Sequence, residues 1–109
     1  MKVPSKKTLH IGVLGAMPEE VGNLVSCLNN IEKIEHGDLK IFSGEINIDK
    51  NETHKVYLSI SWSGWGKVSS ARAATRLIGH KYEDLPLDLL LFTGVAGSVC
   101  EKVKQWDIV

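Results

Sequence analysis

The chain has 109 residues, 43% of them hydrophobic, and its 13 basic and 13 acidic residues cancel to a formal charge of +0. That is the length of about one small domain, with apolar content too high for a disordered chain. The balanced charge gives no electrostatic case for binding nucleic acid or an anionic membrane, and no apolar run approaches the roughly 20 residues of a membrane-spanning helix.

Lys2, Lys6 and Lys7 precede an apolar run, but Pro18-Glu19-Glu20 interrupts it before any small-residue cleavage site, so the segment is not read as a signal peptide. The run itself, residues 8–14, is nearly continuous and reads as a strand buried on both faces. Pro18 suits a first helical position, and Glu19 and Glu20 complement the positive end of the helix dipole. Val21, Leu24, Val25 and Leu28 recur at i, i+3, i+4 and i+7, which predicts an amphipathic helix ended by Asn29-Asn30.

Cys27 is far from Cys100, the only other cysteine, so neither a disulfide framework nor a cysteine zinc site is expected, and a reducing cytoplasm fits this usage. The four histidines (His10, His36, His54, His80) share no ligand spacing, and no metal is expected. Residues 32–36 and 39–46 read as two strands joined by a tight turn at Gly37-Asp38. Asp49 to Thr53 is a polar loop, and Val56–Trp62 is the next strand. Ser63-Gly64-Trp65-Gly66 then turns the chain into a helix over 67–78, with Val68, Ala71, Thr75 and Ile78 on one face and Gly79 as its C-cap. Leu85-Pro86 leads into the strand 87–92, and Trp106-Asp107-Ile108 reads as the start of another. Strands alternating with helices predict an α/β fold around a parallel or mixed sheet, in one domain or part of one.

Strand ends that open into glycine-rich turns are where α/β proteins build ligand sites. Gly12 and Gly15 do not form a G-x-G-x-x-G fingerprint, and after Gly64 and Gly66 the third position is Ser69. Gly66-Lys67 resembles the end of a P-loop, but Val68 stands where a hydroxyl would hold magnesium. Glu19 and Glu20 are open to two readings: surface residues that complement the dipole, or one carboxylate turned into the cleft to take a proton from water. Adjacent helical residues differ by about 100°, so only one of them can face the cleft. Thr93-Gly94-Val95-Ala96-Gly97 is either a turn that needs positive φ or a place where a ligand approaches the backbone. Trp65 is either a core plug or a wall for a ring or thioether.

Four ordered blocks, Ile11 to Val21, Ser63 to Val68, Phe92 to Gly97 and Asp107 to Val109, together resemble the N-terminal half of the 5′-methylthioadenosine/S-adenosylhomocysteine nucleosidases of the purine nucleoside phosphorylase superfamily. The resemblance runs from about Leu9 to Val109. It implies a three-layer fold with a central mixed sheet, truncated at the C-terminus, with residues 1–109 as the N-terminal part of one nucleosidase domain. It implies hydrolysis of the N-glycosidic bond to release adenine, without a cofactor, in a cytoplasmic homodimer. Glu20 matches the glutamate that activates water. Ala16 and Met17 match positions near the substrate, Val95, Ala96 and Gly97 match the turn beside the nucleoside, and Trp65 falls near the ribose and alkylthio region.

The sequence departs from that pattern in places. Pro18 replaces a common acidic residue, Val95 stands where many members have serine, and Trp65 is bulkier than the usual aliphatic residue. Phosphorolytic relatives carry arginines around the first turn; here it holds Glu19 and Glu20, which favours water over phosphate. The family's leaving-group aspartate, purine-stacking aromatic and ribose-binding glutamate lie beyond the matched region, so the fragment alone is expected to be inactive. Other expected functions are a different nucleosidase such as a futalosine hydrolase, a nucleoside phosphorylase, or a non-catalytic remnant that binds a partner through its sheet.

Overall fold

The computed structural model describes residues 8–47 and 55–109. The polar loop expected at 49–53 and the lysines at 2, 6 and 7 lie outside the described residues. Five strands and two helices follow in the order β1 (Thr8–Gly15), α1 (Pro18–Val25), β2 (Asn29–His36), β3 (Leu39–Ile46), β4 (Lys55–Trp62), α2 (Lys67–Ile78) and β5 (Leu89–Phe92). They form one mixed sheet in the order β2-β3-β4-β1-β5. β1 runs parallel to both neighbours, while β2, β3 and β4 form an antiparallel meander.

Alternation along the strands sorts the core into two layers. Val13, Val56, Leu58 and Ile60 face α1, where Val21 is buried and Leu24, Val25 and Leu28 pack around it. Leu14, Leu39 and Ile41 face the other way, against Ala73 and Leu77 of α2. The result is the α/β fold expected, with a helix on each side of the sheet.

Three expectations need correction. Helix α1 ends at Val25 rather than near Leu28; Cys27 and Leu28 close tight turns onto the carbonyls of Leu24 and Val25, which still bring Leu28 into the core. β2 therefore starts at Asn29, with a register shift before Glu32 and Asn30 at φ 54°. Helix α2 has the expected limits but the opposite rotation, with Val68 85% and Ile78 61% exposed. Its inward face is Ala73 and Leu77, which pack on Leu14, Leu39 and Ile41 of the sheet. Lastly, Trp106 to Val109 form no strand: they are irregular and exposed. Gly79 does cap α2, in right-handed helical rather than left-handed geometry.

Under α2 lies a buried polar chain. His10 Nε2 is 2.6 Å from Ser59 Oγ, which is 2.8 Å from Ser43 Oγ, itself 2.9 Å from His80 Nε2. Burial pushes both imidazoles below the ordinary histidine value of 6.5, against the opposing pull of the Leu85 and Pro86 backbone and Asp88 on His10. Above that value the folded and unfolded chains are both neutral at these sites. As pH falls through it, the unfolded chain takes up protons that the folded one resists, so stability falls. Urea midpoints are expected to be level from about pH 8 to 7 and to drop towards about pH 5.5. A midpoint that rose on acidification would contradict this.

Among the described residues, no helix is long and apolar enough to cross a membrane.

Candidate functional site

Parallel pairing places the C-terminal ends of β4, β1 and β5 side by side, and the connections there are tied together by the backbone. Ser63 N donates to Gly15 O at 2.9 Å, Gly64 N to Ala16 O at 2.9 Å, and Thr93 N to Leu14 O at 2.9 Å. Pro18 opens α1 at the top of β1, which puts Glu20 in the first helical turn. Its side chain folds back. Oε2 accepts hydrogen bonds from Ala16 N at 2.7 Å and Met17 N at 3.2 Å. These donors are backbone groups the helix start leaves without an intrahelical partner, so the carboxylate both caps the helix and is fixed by it.

Two glycines border this carboxylate. A β-carbon on Gly15 would lie 3.1 Å from Oε2 and 2.9 Å from Val21 Cγ1, so nothing larger fits as α1 is placed. A β-carbon on Gly94 would lie 3.6 Å from Oε1 and 3.1 Å from Phe92 Cε1. The two oxygens therefore have different surroundings: Oε2 is held by amides, and Oε1 lies towards the turn after β5. Among the described residues, neither oxygen is paired with a cation. Glu20 is half-buried and Glu19 exposed, so of the two adjacent carboxylates only Glu20 turns in.

The arrangement gathers Glu20 with Ala16 and Met17, both half-buried. Trp65 follows Gly64 on the rim but is 79% exposed, which removes the core-plug reading. Val95 (80% exposed), Ala96 and Gly97 continue from Gly94 along the surface, and no atom beyond its chain neighbours lies within 4 Å of a β-carbon placed on Gly97. The turn does not require positive φ: that conformation belongs to Gly64 at 79° and Gly66 at 98°, not to Gly94 or Gly97. Gly94 is small because of what it adjoins. Gly15 and Phe92, which fall in two of the blocks that carry the resemblance, border the carboxylate because they lie at the ends of β1 and β5.

Chemically, the site offers one carboxylate oriented by two backbone amides, a group able to position and deprotonate water. Among the described residues no group of three or more histidine, cysteine or acidic side chains converges as a metal site. A separate cleft of about 350 Å³, lined by His36, Arg76, His80 and Lys81 among others, lies beyond the far end of α2. It lies at the C-terminal end of α2, whereas the Glu20 site adjoins the turn at the helix's N-terminal end. It takes no part in this site.

Comparison with known proteins supplies the context. The model of the phosphorylase superfamily matches residues 10–109. The S-adenosylhomocysteine nucleosidase of Streptococcus pyogenes, solved with 5-methylthiotubericidin, is 25% identical with a TM-score of 0.72, over 93% of this chain and 38% of that one. The MTA/SAH nucleosidase of Streptococcus pneumoniae, solved with 8-aminoadenine, is 33% identical with a TM-score of 0.69, over 88% of this chain and 38% of that one. The futalosine hydrolase of Helicobacter pylori is 28% identical with a TM-score of 0.66, over 88% and 37%. The chain thus spans little more than a third of the length of these proteins.

Proposed function

Because the chain belongs to the phosphorylase superfamily, we propose that residues 1–109 form the N-terminal part of a nucleosidase domain that hydrolyses the N-glycosidic bond of a purine nucleoside. The substrates are 5′-methylthioadenosine and S-adenosylhomocysteine, and adenine is the released base. The observation that carries this reading is the Glu20 carboxylate, anchored through Oε2 by two amides with Oε1 towards the Gly94 turn.

In this mechanism Oε1 accepts a hydrogen bond from a water beneath the anomeric carbon; the carbon–nitrogen bond breaks, the water oxygen bonds to that carbon, and its proton passes to Oε1. The sugar becomes oxocarbenium-like, and the nearby negative charge stabilises it electrostatically. Ala16 and Met17 border the water, Val95, Ala96 and Gly97 lie along the nucleoside, and Trp65 packs on the alkylthio group from the rim. The same carboxylate disfavours phosphate as the nucleophile, since an anion would have to approach it without a neutralising arginine. Protonation of the leaving base falls to residues outside this chain, so the chain alone is expected to release no adenine.

Similarity to both MTA/SAH nucleosidases and a futalosine hydrolase supports a second reading that differs only in the nucleoside. The test joins residues 1–109 to the C-terminal portion of the Streptococcus pneumoniae nucleosidase. Base release from methylthioadenosine, S-adenosylhomocysteine and futalosine is then followed with and without phosphate. Phosphate-independent adenine release from the first two is expected. A folded chimera that required phosphate, or released no adenine, would overturn the proposal, and preference for futalosine would select the second reading.

A further inference from the structure

The buried chain under α2 has a direction, and one carbonyl sets it. His10 Nδ1 lies 3.1 Å from Leu85 O, which can only accept, so Nδ1 carries a hydrogen. In the neutral ring Nε2 is then an acceptor, and Ser59 must donate to it. That uses Ser59's only hydrogen, so Ser43 must donate to Ser59 Oγ. Ser43's hydrogen is thereby used as well, and its oxygen must accept from His80 Nε2. Neutral His10 is therefore the Nδ1–H tautomer and neutral His80 the Nε2–H tautomer. Every link is satisfied, in keeping with the absence of unpartnered buried side-chain atoms among the described residues.

The two ends differ in access and surroundings. His80 lines the cleft at the end of α2 and is 8% exposed, whereas His10 is 1% exposed. His80 has His36 of β2, Arg76 of α2 and Lys81 around that cleft, with Glu32 of β2 as the opposing charge. His10 has Asp88, whose Oδ2 accepts from the His10 backbone N–H at 3.0 Å, and the ring of Tyr82, which itself packs against Tyr57. Burial opposes a positive charge at both ends; His36 adds to that opposition at the open end, whereas the Leu85 carbonyl and the Asp88 carboxylate offset it at the closed end.

We propose that His80, Ser43, Ser59 and His10 form a one-proton relay that admits a proton at the α2 cleft and settles the charge on His10 beside Asp88. A proton binds His80 Nδ1, and the Nε2 proton passes to Ser43. Ser43 passes its own to Ser59, and Ser59 passes its own to His10 Nε2. One proton enters, all three hydrogen bonds reverse, and His80 ends neutral as the Nδ1–H tautomer. A second proton is blocked: it would set an N–H on His80 Nε2 against the Ser43 O–H that now points at it. The device couples acidity to the Leu85–Asp88 segment, which leads directly into β5.

The test is long-range ¹H–¹⁵N spectroscopy of the ¹⁵N-histidine-labelled chain between about pH 8 and pH 5.5. At the alkaline end His10 is expected as Nδ1–H and His80 as Nε2–H. On acidification His10 becomes doubly protonated while His80 switches to Nδ1–H without gaining charge. Ser43→Ala cuts the relay, after which the His80 tautomer no longer follows His10. His80 found as Nδ1–H at pH 8, both rings doubly protonated together, or a switch that survives in Ser43→Ala would overturn the proposal. The wild-type spectra decide the first two outcomes alone, so a variant that fails to fold does not shelter it.

Discussion

Glu20→Gln is expected to lower adenine release by roughly 10²–10⁴-fold while leaving the melting temperature nearly unchanged. The contrast follows from the unequal surroundings of the two oxygens. Glutamine retains one carbonyl oxygen, which can take the Oε2 position and accept from Ala16 N and Met17 N. The helix start stays capped, but an NH₂ group replaces Oε1 and cannot take a proton from water. The measurement pairs steady-state adenine release by the nucleosidase chimera with its thermal unfolding. Glu20→Ala supplies the control for a purely structural role, since it removes both hydrogen bonds and should destabilise by roughly 1–3 kcal/mol. Near-normal turnover in Glu20→Gln, or a loss of activity matched by a loss of stability, would remove Glu20 from the chemistry.

Ile60→Ala is expected to give the largest loss of stability, about 2–5 kcal/mol, read as a fall of at least about 10 °C in melting temperature. Ile60 is fully buried at the middle of the sheet, opposite Val13 of β1 and Phe42 of β3, and belongs to the layer that receives Val21 and Leu28. Helix α1 has 8 residues, too few to persist without tertiary contacts, so its position depends on that layer. Removing Ile60 therefore loosens the element that carries Glu20 as well as the core. Ile60→Val, at about 0.5–1.5 kcal/mol, gives the graded comparison. An alanine variant that melts with the wild type would mean that α1 is held by something other than this layer.

Much of this could be read from residue order, for identifiable reasons. β1 is a continuous apolar run because both its faces are covered, and β4 alternates Val56, Leu58 and Ile60 with Tyr57, Ser59 and Ser61 because its two faces meet different layers. The rotation of α2 was not legible. Two of its apolar residues, Val68 and Ile78, point outward, while Ala73 and Leu77 pack on Leu14 of β1 and Leu39 and Ile41 of β3, partners that the spacing within the helix does not reveal. A strand at Trp106 to Val109 failed for a related reason: alternation allows a strand, but only a pairing partner makes one. Within the site, the proline helix start located the acidic turn. Which glutamate turns inward was decided by the amides of Ala16 and Met17 and the space at Gly15, none of which a linear pattern displays.

The sheet's two flanks are unequally defended. β2 shows water a polar, charged ribbon that includes the Lys33–Glu35 ion pair, a common guard against unwanted pairing. Across the molecule, β5 leaves Leu91 45% and Phe92 65% exposed on the last strand of the described sheet. Among the described residues the greasy border is thus the one beside the strand end that carries the acidic turn, while the opposite flank is dressed in charge.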